Sequence, residues 1–389
     1  MPQTTVKSHQ RVLTIIVLAQ FCCTSLWFAS NAVMDGLVAD FGLSEAGVGH
    51  LTSAVQLGFI LGTLVFAILS IADRFSPSRV FLVCGIAGAL TNAMLIWSGH
   101  TMSTLVIARM LTGFFLAGIY PIGMKIASDY FDQGLGRSLG YLVGALVLGT
   151  ALPHLLRGWS VGLPWRLVIF TTSGVAALGA LAVGQGVTDG PYRRASAAFQ
   201  PSAFLAVFRD RDFRSAALGY FGHMWELYAF WTFVPSILFI AMGRDDTGSF
   251  ISFASFGIIG VGALACVLGG YWSLRVGPAQ VARTALTISL LCCLLSPFIG
   301  ALPIAILLIF MLIWGVFVIM DSPMFSTLVA QRAPSAAKGT ALTIVNCIGF
   351  AITIVSIQLI QFLLPSWGMN SFVILAIGPV IGLWAMRRS

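Results

Sequence analysis

The chain has 389 residues, 58% of them hydrophobic and only 9% charged, against roughly 25% charged in an ordinary soluble domain. So few charges cannot cover a globule in water. The apolar residues come in continuous runs near the ~20 needed for a helix to cross hydrocarbon, which also excludes the short alternating segments of a porin-type barrel. The net charge of +8 does not signal a nucleic-acid partner, because the basic residues stand singly or in pairs between apolar runs, with no basic helix or stacking platform.

About twelve spans are predicted, near 12–34, 47–71, 80–98, 104–128, 138–156, 167–186, 215–242, 249–272, 280–300, 303–325, 340–363 and 371–386. The first is longer than a signal-peptide core and lacks a small-residue cleavage site, so it is expected to be retained. Within it Gln20, Thr24, Trp27 and Asn31 recur at helical spacing on one face, which in lipid must look inward, lining a cavity or locking helix to helix. Gly58-x-x-x-Gly62 in the second span and Gly140-x-x-x-Gly144 in the fifth are expected close-packing faces. The fourth span holds Arg109 about five residues from its outer end and Lys125 near the other end, where it is expected to snorkel to the interface. Tyr120 follows Arg109 by eleven residues on the same side, with Gly113 between them leaving room for a ligand or a neighbouring helix.

The longest polar connection, "TDGPYRRASAAFQPSAFLAVFRDRDF" from Thr188 to Phe213, divides the spans six and six. The expected organisation is an N-terminal six-helix bundle over 1–186, a linker over 187–213 and a C-terminal six-helix bundle over 214–389. An offset of about 200 residues aligns landmarks across the division. Gln20-Phe21 matches Tyr220-Phe221, Asp73-Arg74 matches Leu274-Arg275, and Gly113 with Tyr120-Pro121 matches Gly315 with Ser322-Pro323. Pro121 and Pro323 thus occupy equivalent places where a gating helix could bend. With the N-terminus cytoplasmic, only Arg157, Arg166 and Arg244 fall on the outer side and Arg109 within a span. The remaining 17 of the 21 basic residues lie inside, so both termini are expected in the cytoplasm.

These landmarks support a resemblance. The loop "LSIADRFSPSRVF" resembles the Gly-x-Leu-Ala-Asp-Arg-x-Gly-Arg signature of the major facilitator superfamily through Ala72, Asp73, Arg74 and Arg79, with Leu69 and Ser76 in place of the two glycines. Its second copy, "GGYWSLRVG", has Leu274 where the acid would be, and Arg109 with Gly113 resembles the Arg-x-x-x-Gly signature of the fourth span. The resemblance implies an all-α integral membrane fold of twelve transmembrane helices in two pseudo-symmetric bundles, a monomer in a bacterial inner (plasma) membrane. It also implies that Asp73, with Arg74 beside it, closes the inner gate. Asp73 would meet the N-terminus of the eleventh span near Thr340, with Lys338 alongside.

Ionisable groups inside a span are costly and therefore candidates for function. Glu226 lies about eleven residues into the seventh span, near the midplane at ~1.5 Å per residue, with His223 one turn earlier on the same face. "GHMWELYAFW" is expected to be a proton-coupling site or, alternatively, a static interhelical hydrogen-bonded pair. Arg109 is expected to face Glu226 across a cavity, holding a substrate carboxylate or sensing protonation of the acid. The alternative is hydrogen bonding to the carbonyls of a neighbouring helix. Asp321, near the end of the tenth span, suits a solvated, capping or cavity role equally. Trp27, Asn31, Tyr120, Tyr228 and Trp231 complete the expected solute-binding set.

All seven cysteines fall in apolar runs without metal-ligand spacing. No Gly-x-x-x-x-Gly-Lys-Ser/Thr loop or hydrolase motif is present in the sequence. The expectation is a secondary transporter, not an enzyme, needing no cofactor. It would be driven by protons or Na⁺ and move a small, anionic solute by rocking of two bundles. A proton-driven exporter of lipophilic compounds is the main alternative, and a non-transporting receptor a more distant one.

Overall fold

The computed structural model describes residues 3–44, 47–131, 135–193, 208–242, 249–333 and 338–387. Every regular element among them is helical. Ten helices are long and apolar enough to cross a membrane, and the last, Gly339–Met386, is one 48-residue stretch. That stretch is far longer than the ~20 residues a bilayer needs. It turns back at Gly368, whose φ of 53° no β-carbon-bearing residue adopts easily, so that Lys338–Trp367 and the segment Gly368–Met386 form the eleventh and twelfth spans. Gln3–Thr24 supplies the first span.

The molecule is apolar outside as well as inside. Leu18, Leu90, Phe170, Leu178, Leu264, Leu268 and Phe362 all point outward and are more than half exposed, as a bilayer solvent permits. Inside, small residues set the helix spacing. A β-carbon at Gly113 would run into the carbonyl of Val55, and one at Gly315 into the carbonyl of Ile258. The fourth span therefore lies backbone to backbone on the second, and the tenth on the eighth, at the offset of about 200 residues found in the sequence. Gly113 makes room for a neighbouring helix rather than for a ligand. Gly58 and Gly62 press on the carbonyls of Met110 and Phe114 as expected, whereas Gly140 faces open space and only Gly144 meets a neighbour, Ala263 of the eighth span.

Three spans predicted as continuous are broken. The first unwinds over 25–28 and resumes as Ala29–Ala32. No proline causes this. The hydroxyls of Thr24 and Ser25 bond back to the carbonyls of Gln20 and Cys22 at 2.8 and 2.7 Å, competing with the helix ladder. The fourth is Met102–Leu116 followed by Tyr120–Tyr130, and the tenth Ile304–Met320 followed by Ser322–Arg332. In both, a proline (Pro121, Pro323) in the first turn of the second piece supplies no N–H and crowds the carbonyl four residues back. These paired breaks are the strongest sign of the duplication. The third and ninth spans repeat it again: each opens on a proline, Pro77 or Pro278, and ends in a 3₁₀ turn.

The end of the bundle at which Met386 lies is called here the terminal end. Arg283, at the start of the ninth span, donates to the Met386 carbonyl there at 3.0 Å. At the opposite, far end, the second and eleventh spans are joined: Gln358 donates to Ser53 at 2.8 Å, and the Gly49 N–H to Gln361 at 3.1 Å. The fifth span, Leu135–Trp159, runs along the eighth, Ser249–Val276, from Gly144 opposite Ala263 to Gly158 against Phe253. The connection between the halves is described as far as Arg193; Arg194 and the rest of it to 207 lie outside the described residues.

Gly58→Ala is expected to lower stability by about 1–3 kcal/mol through overpacking against Met110, while Gly140→Ala, with nothing near, leaves it unchanged. Thermal unfolding in detergent measures both; equal unfolding temperatures for the two variants would contradict this packing.

Candidate functional site

Where the first span unwinds, the two halves meet in a seam of aromatic rings. Trp27, Phe28 and Phe59 come from the N-terminal half, and Tyr228, Trp231 and Phe350 from the C-terminal half; all are buried. Trp27 stacks on Phe350 with centroids 5.7 Å apart and lies 5.7 Å from Tyr228; Phe28 stacks on Tyr228 at 6.3 Å, and Phe59 approaches Phe350 to 4.5 Å. Trp231 meets Phe28 and Tyr228 edge-on at 6.2 and 5.4 Å. The seventh span presents Tyr220, Met224, Tyr228 and Trp231 to this seam at helical spacing. One turn from the rings, Tyr220 donates to Asn346 Oδ1 at 3.0 Å. Trp27, Tyr228 and Trp231 of the expected set are thus brought together, while Tyr120 opens the second piece of the fourth span. Asn31 does not join them: its amide donates to Thr52 at 2.8 Å, holding the first span to the second.

Arg109 is fully buried, and the expected partnership with Glu226 is not formed. Its guanidinium donates to the carbonyls of Leu26 and Trp27 at 2.8 and 2.6 Å and to Asn92 Oδ1 at 2.9 Å. Those two carbonyls belong to the unwound turn, and a planar five-donor fork is the side chain best suited to capturing them together. Asn92 passes the connection on, donating to Ser173 on the sixth span at 2.9 Å.

Glu226 also differs from expectation. Its Oε1 accepts from the hydroxyl of Ser289, from the indole of Trp314 at 2.6 Å and from the Cys293 thiol at 3.3 Å, so it ties the seventh span to the ninth and tenth. His223 turns instead to Asp321, with Nδ1 2.8 Å from Oδ1. Both members of that pair are buried, which removes the solvated role considered for Asp321. The aspartate stands at the break of the tenth span, and His223 lies beside Tyr220 and Phe325 with centroids 6.2 and 6.1 Å away.

At the terminal end a cavity of about 250 Å³ opens between the halves, lined by Ser70, Asp73, Pro121 and Lys125 on one side and Gly339, Thr340 and Thr343 on the other. Asp73 pairs with Lys125 at 3.2 Å, and Lys125 lies 3.8 Å from Asp129, so Lys125 is held between carboxylates rather than snorkelling alone. Asp73 and the start of the eleventh span, at Gly339, Thr340 and Thr343, face each other across this cavity. The side chain of Lys338 lies outside the described residues, and Arg74 is exposed. Arg193 braces the Asp73 loop from the central connection, donating to the carbonyls of Asp73 and Phe75 at 3.1 and 2.8 Å.

The family described as the Major Facilitator Superfamily matches residues 16–357. The chain belongs to that superfamily. Among curated relatives it is 28% identical over 189 residues to the uncharacterized transporter YgaY of Escherichia coli O157:H7, covering 46% of each chain. It is 28% identical over 172 residues to the puromycin resistance protein pur8 of Streptomyces alboniger, covering 43% of this chain and 34% of that one. It is also 28% identical over 167 residues to the 4-hydroxybenzoate transporter PcaK of Acinetobacter baylyi, covering 36% and 34%. The chain spans less than half the length of these relatives. Its fold is similar to that of a bacterial homologue of the human lysosomal transporter Spinster in an inward-facing, unoccupied conformation, with a TM-score of 0.75 at 16% identity over 97% of this chain and 96% of that one. It is similar also to the human organic anion transporter MFSD10, with a TM-score of 0.76 at 15% identity over the whole of both.

In this superfamily member, Phe59, Phe350, Asn92, Ser289 and Trp314 complete the seam and the two polar networks, and none stood out in the sequence. Asn92 and Ser289 carried a signal, as polar residues inside apolar runs, but the phenylalanines carried none. Arg109→Lys is expected to strand at least one of the two carbonyls or Asn92, each unpaired buried polar group costing about 1–3 kcal/mol. The unfolding temperature should fall for Arg109→Lys and stay put for the exposed Arg74→Lys. Unchanged stability in Arg109→Lys would contradict this role.

Proposed function

We propose that the protein is a proton-coupled secondary transporter that moves a small organic solute across the membrane by alternating access, binding it at the aromatic seam. The chain would be monomeric, with both termini cytoplasmic, and its two bundles (1–186 and 214–389) would rock about the seam on the 187–213 linker. With that orientation, the far-end contacts of Ser53 and Gly49 with the eleventh span close the outer side. The cavity beside Asp73 and Lys125 then opens to the cytoplasm.

The observation that carries the coupling is the His223–Asp321 pair, a buried imidazole and carboxylate at the break of the tenth span. Bending of that break would change the water access of the pair, and a proton taken or released there would bias which bend is preferred. Glu226, with three donors on one oxygen, serves this reading better as a brace between spans than as the carrier. Arg109 likewise serves as a brace, and the case for an anion clamp weakens accordingly. What remains at the seam is aromatic. Import with protons is the reading preferred here, for an aromatic solute such as the 4-hydroxybenzoate in the name of PcaK, a relative. Proton-driven export of a lipophilic compound is the second, favoured by the apolar rings and by the name of pur8.

Asp321→Asn is expected to abolish accumulation of solute under an imposed pH gradient while exchange of labelled for unlabelled solute survives. His223→Gln should be milder, and Glu226→Gln should lower stability more than coupling. Proteoliposomes supplied with 4-hydroxybenzoate or puromycin measure all three. Full pH-driven accumulation by Asp321→Asn would overturn this coupling.

A further inference from the structure

The seam holds donors that have nothing to donate to. The indole nitrogens of Trp27 and Trp231 are buried and make no hydrogen bond, and neither atom of the Gln56 amide does. An indole N–H can only donate. Buried polar groups are ordinarily paired, so each such group in a folded protein calls for a partner absent in this state. The positions converge. Trp27 and Trp231 both belong to the ring cluster, touching Phe28 or Tyr228. Gln56 lies one helical turn from Phe59, which packs against Trp27 at 5.0 Å.

The acids nearby are already engaged, Glu226 by Ser289, Cys293 and Trp314 and Asp321 by His223, whereas Arg109 meets only neutral acceptors, two carbonyls and Asn92. The rings meanwhile satisfy one another face to face across the boundary that must part during transport, so a flat ring entering between them replaces like with like.

We infer that the seam takes a planar aromatic solute bearing hydrogen-bond-accepting oxygen, recognised by the N–H groups of Trp27 and Trp231 and the amide of Gln56. This rests on the transporter reading only in taking the seam as the solute site. A bare organic cation would leave the indole donors unpaired and would sit beside the Arg109 guanidinium, which bonds the Trp27 carbonyl.

Equilibrium dialysis on the purified full chain in detergent tests the inference with three probes. Benzamide is flat, uncharged and offers an acceptor; cyclohexanecarboxamide keeps the acceptor on a puckered ring; benzyltrimethylammonium keeps the flat ring with a positive charge and no acceptor. Benzamide is expected to bind at least about tenfold more tightly than either of the others. Trp231→Phe, which keeps a ring and removes the N–H, should weaken benzamide about tenfold at unchanged unfolding temperature. Benzyltrimethylammonium binding as tightly as benzamide, equal binding of the two amides, or no binding of benzamide would each overturn the inference. The probe comparison needs no variant and so survives a misfolded one. pH-driven uptake of another solute in proteoliposomes, alongside any of those failures, would show that the transporter reading stands and only this solute class is wrong.

Discussion

The first span unwinds in the middle of the membrane, and the carbonyls it frees must find donors where no water can supply them. Arg109 meets that constraint. One guanidinium takes the carbonyls of Leu26 and Trp27 and the side chain of Asn92, and Asn92 reaches Ser173. Four spans of the N-terminal half are thereby tied around the unwound turn. Because the turn is held, Trp27 and Phe28 project across the boundary between the halves, and the aromatic seam has its N-terminal wall.

The C-terminal half solves the same problem with different chemistry. About 200 residues after Leu26 stands Glu226, and about 200 after Asn92 stands Cys293. The donor comes in both halves from the fourth span or its counterpart, Arg109 in one and Trp314 in the other. A backbone acceptor met by a cation has become a side-chain acceptor met by neutral donors. The duplicated halves keep the geometry of first, third and fourth spans but not the charge. This leaves the titratable pair, His223 and Asp321, to the C-terminal half, at the break of the tenth span. The terminal-end loop is one-sided in the same way, since Asp73 pairs with Lys125 while Leu274 in the second copy is exposed.

Much of the fold was legible because the bilayer enforces it: apolar runs, the central polar connection and the recurrence of Gly113 as Gly315 need no tertiary knowledge. The breaks at Pro121 and Pro323 were legible as bends, since proline's missing N–H acts locally. The break at 25–28 was not, because the Thr24 and Ser25 hydroxyls that loosen it act only where the freed carbonyls are met by an arginine more than eighty residues away. Site residues divided along the same line. Charged residues announce themselves in an apolar run, so Arg109, Glu226, His223 and Asp321 were all noticed. Their partners are not legible there, since helical spacing gives a face and not the helix opposite. His223 and Glu226 share the seventh span yet turn to different neighbours, and Phe59 and Phe350 are ordinary membrane residues until the halves are brought together.

Rocking of the two halves about the seam, as proposed for transport, requires the far-end contact between the second and eleventh spans to open. Cysteines at Ser53 and Gln358, whose native side chains lie 2.8 Å apart, test this directly when joined by a short, reducible thiol crosslinker in proteoliposomes. The joined protein is expected to carry no solute across the membrane and to regain transport on reduction. Full transport with the two spans covalently joined would contradict that requirement.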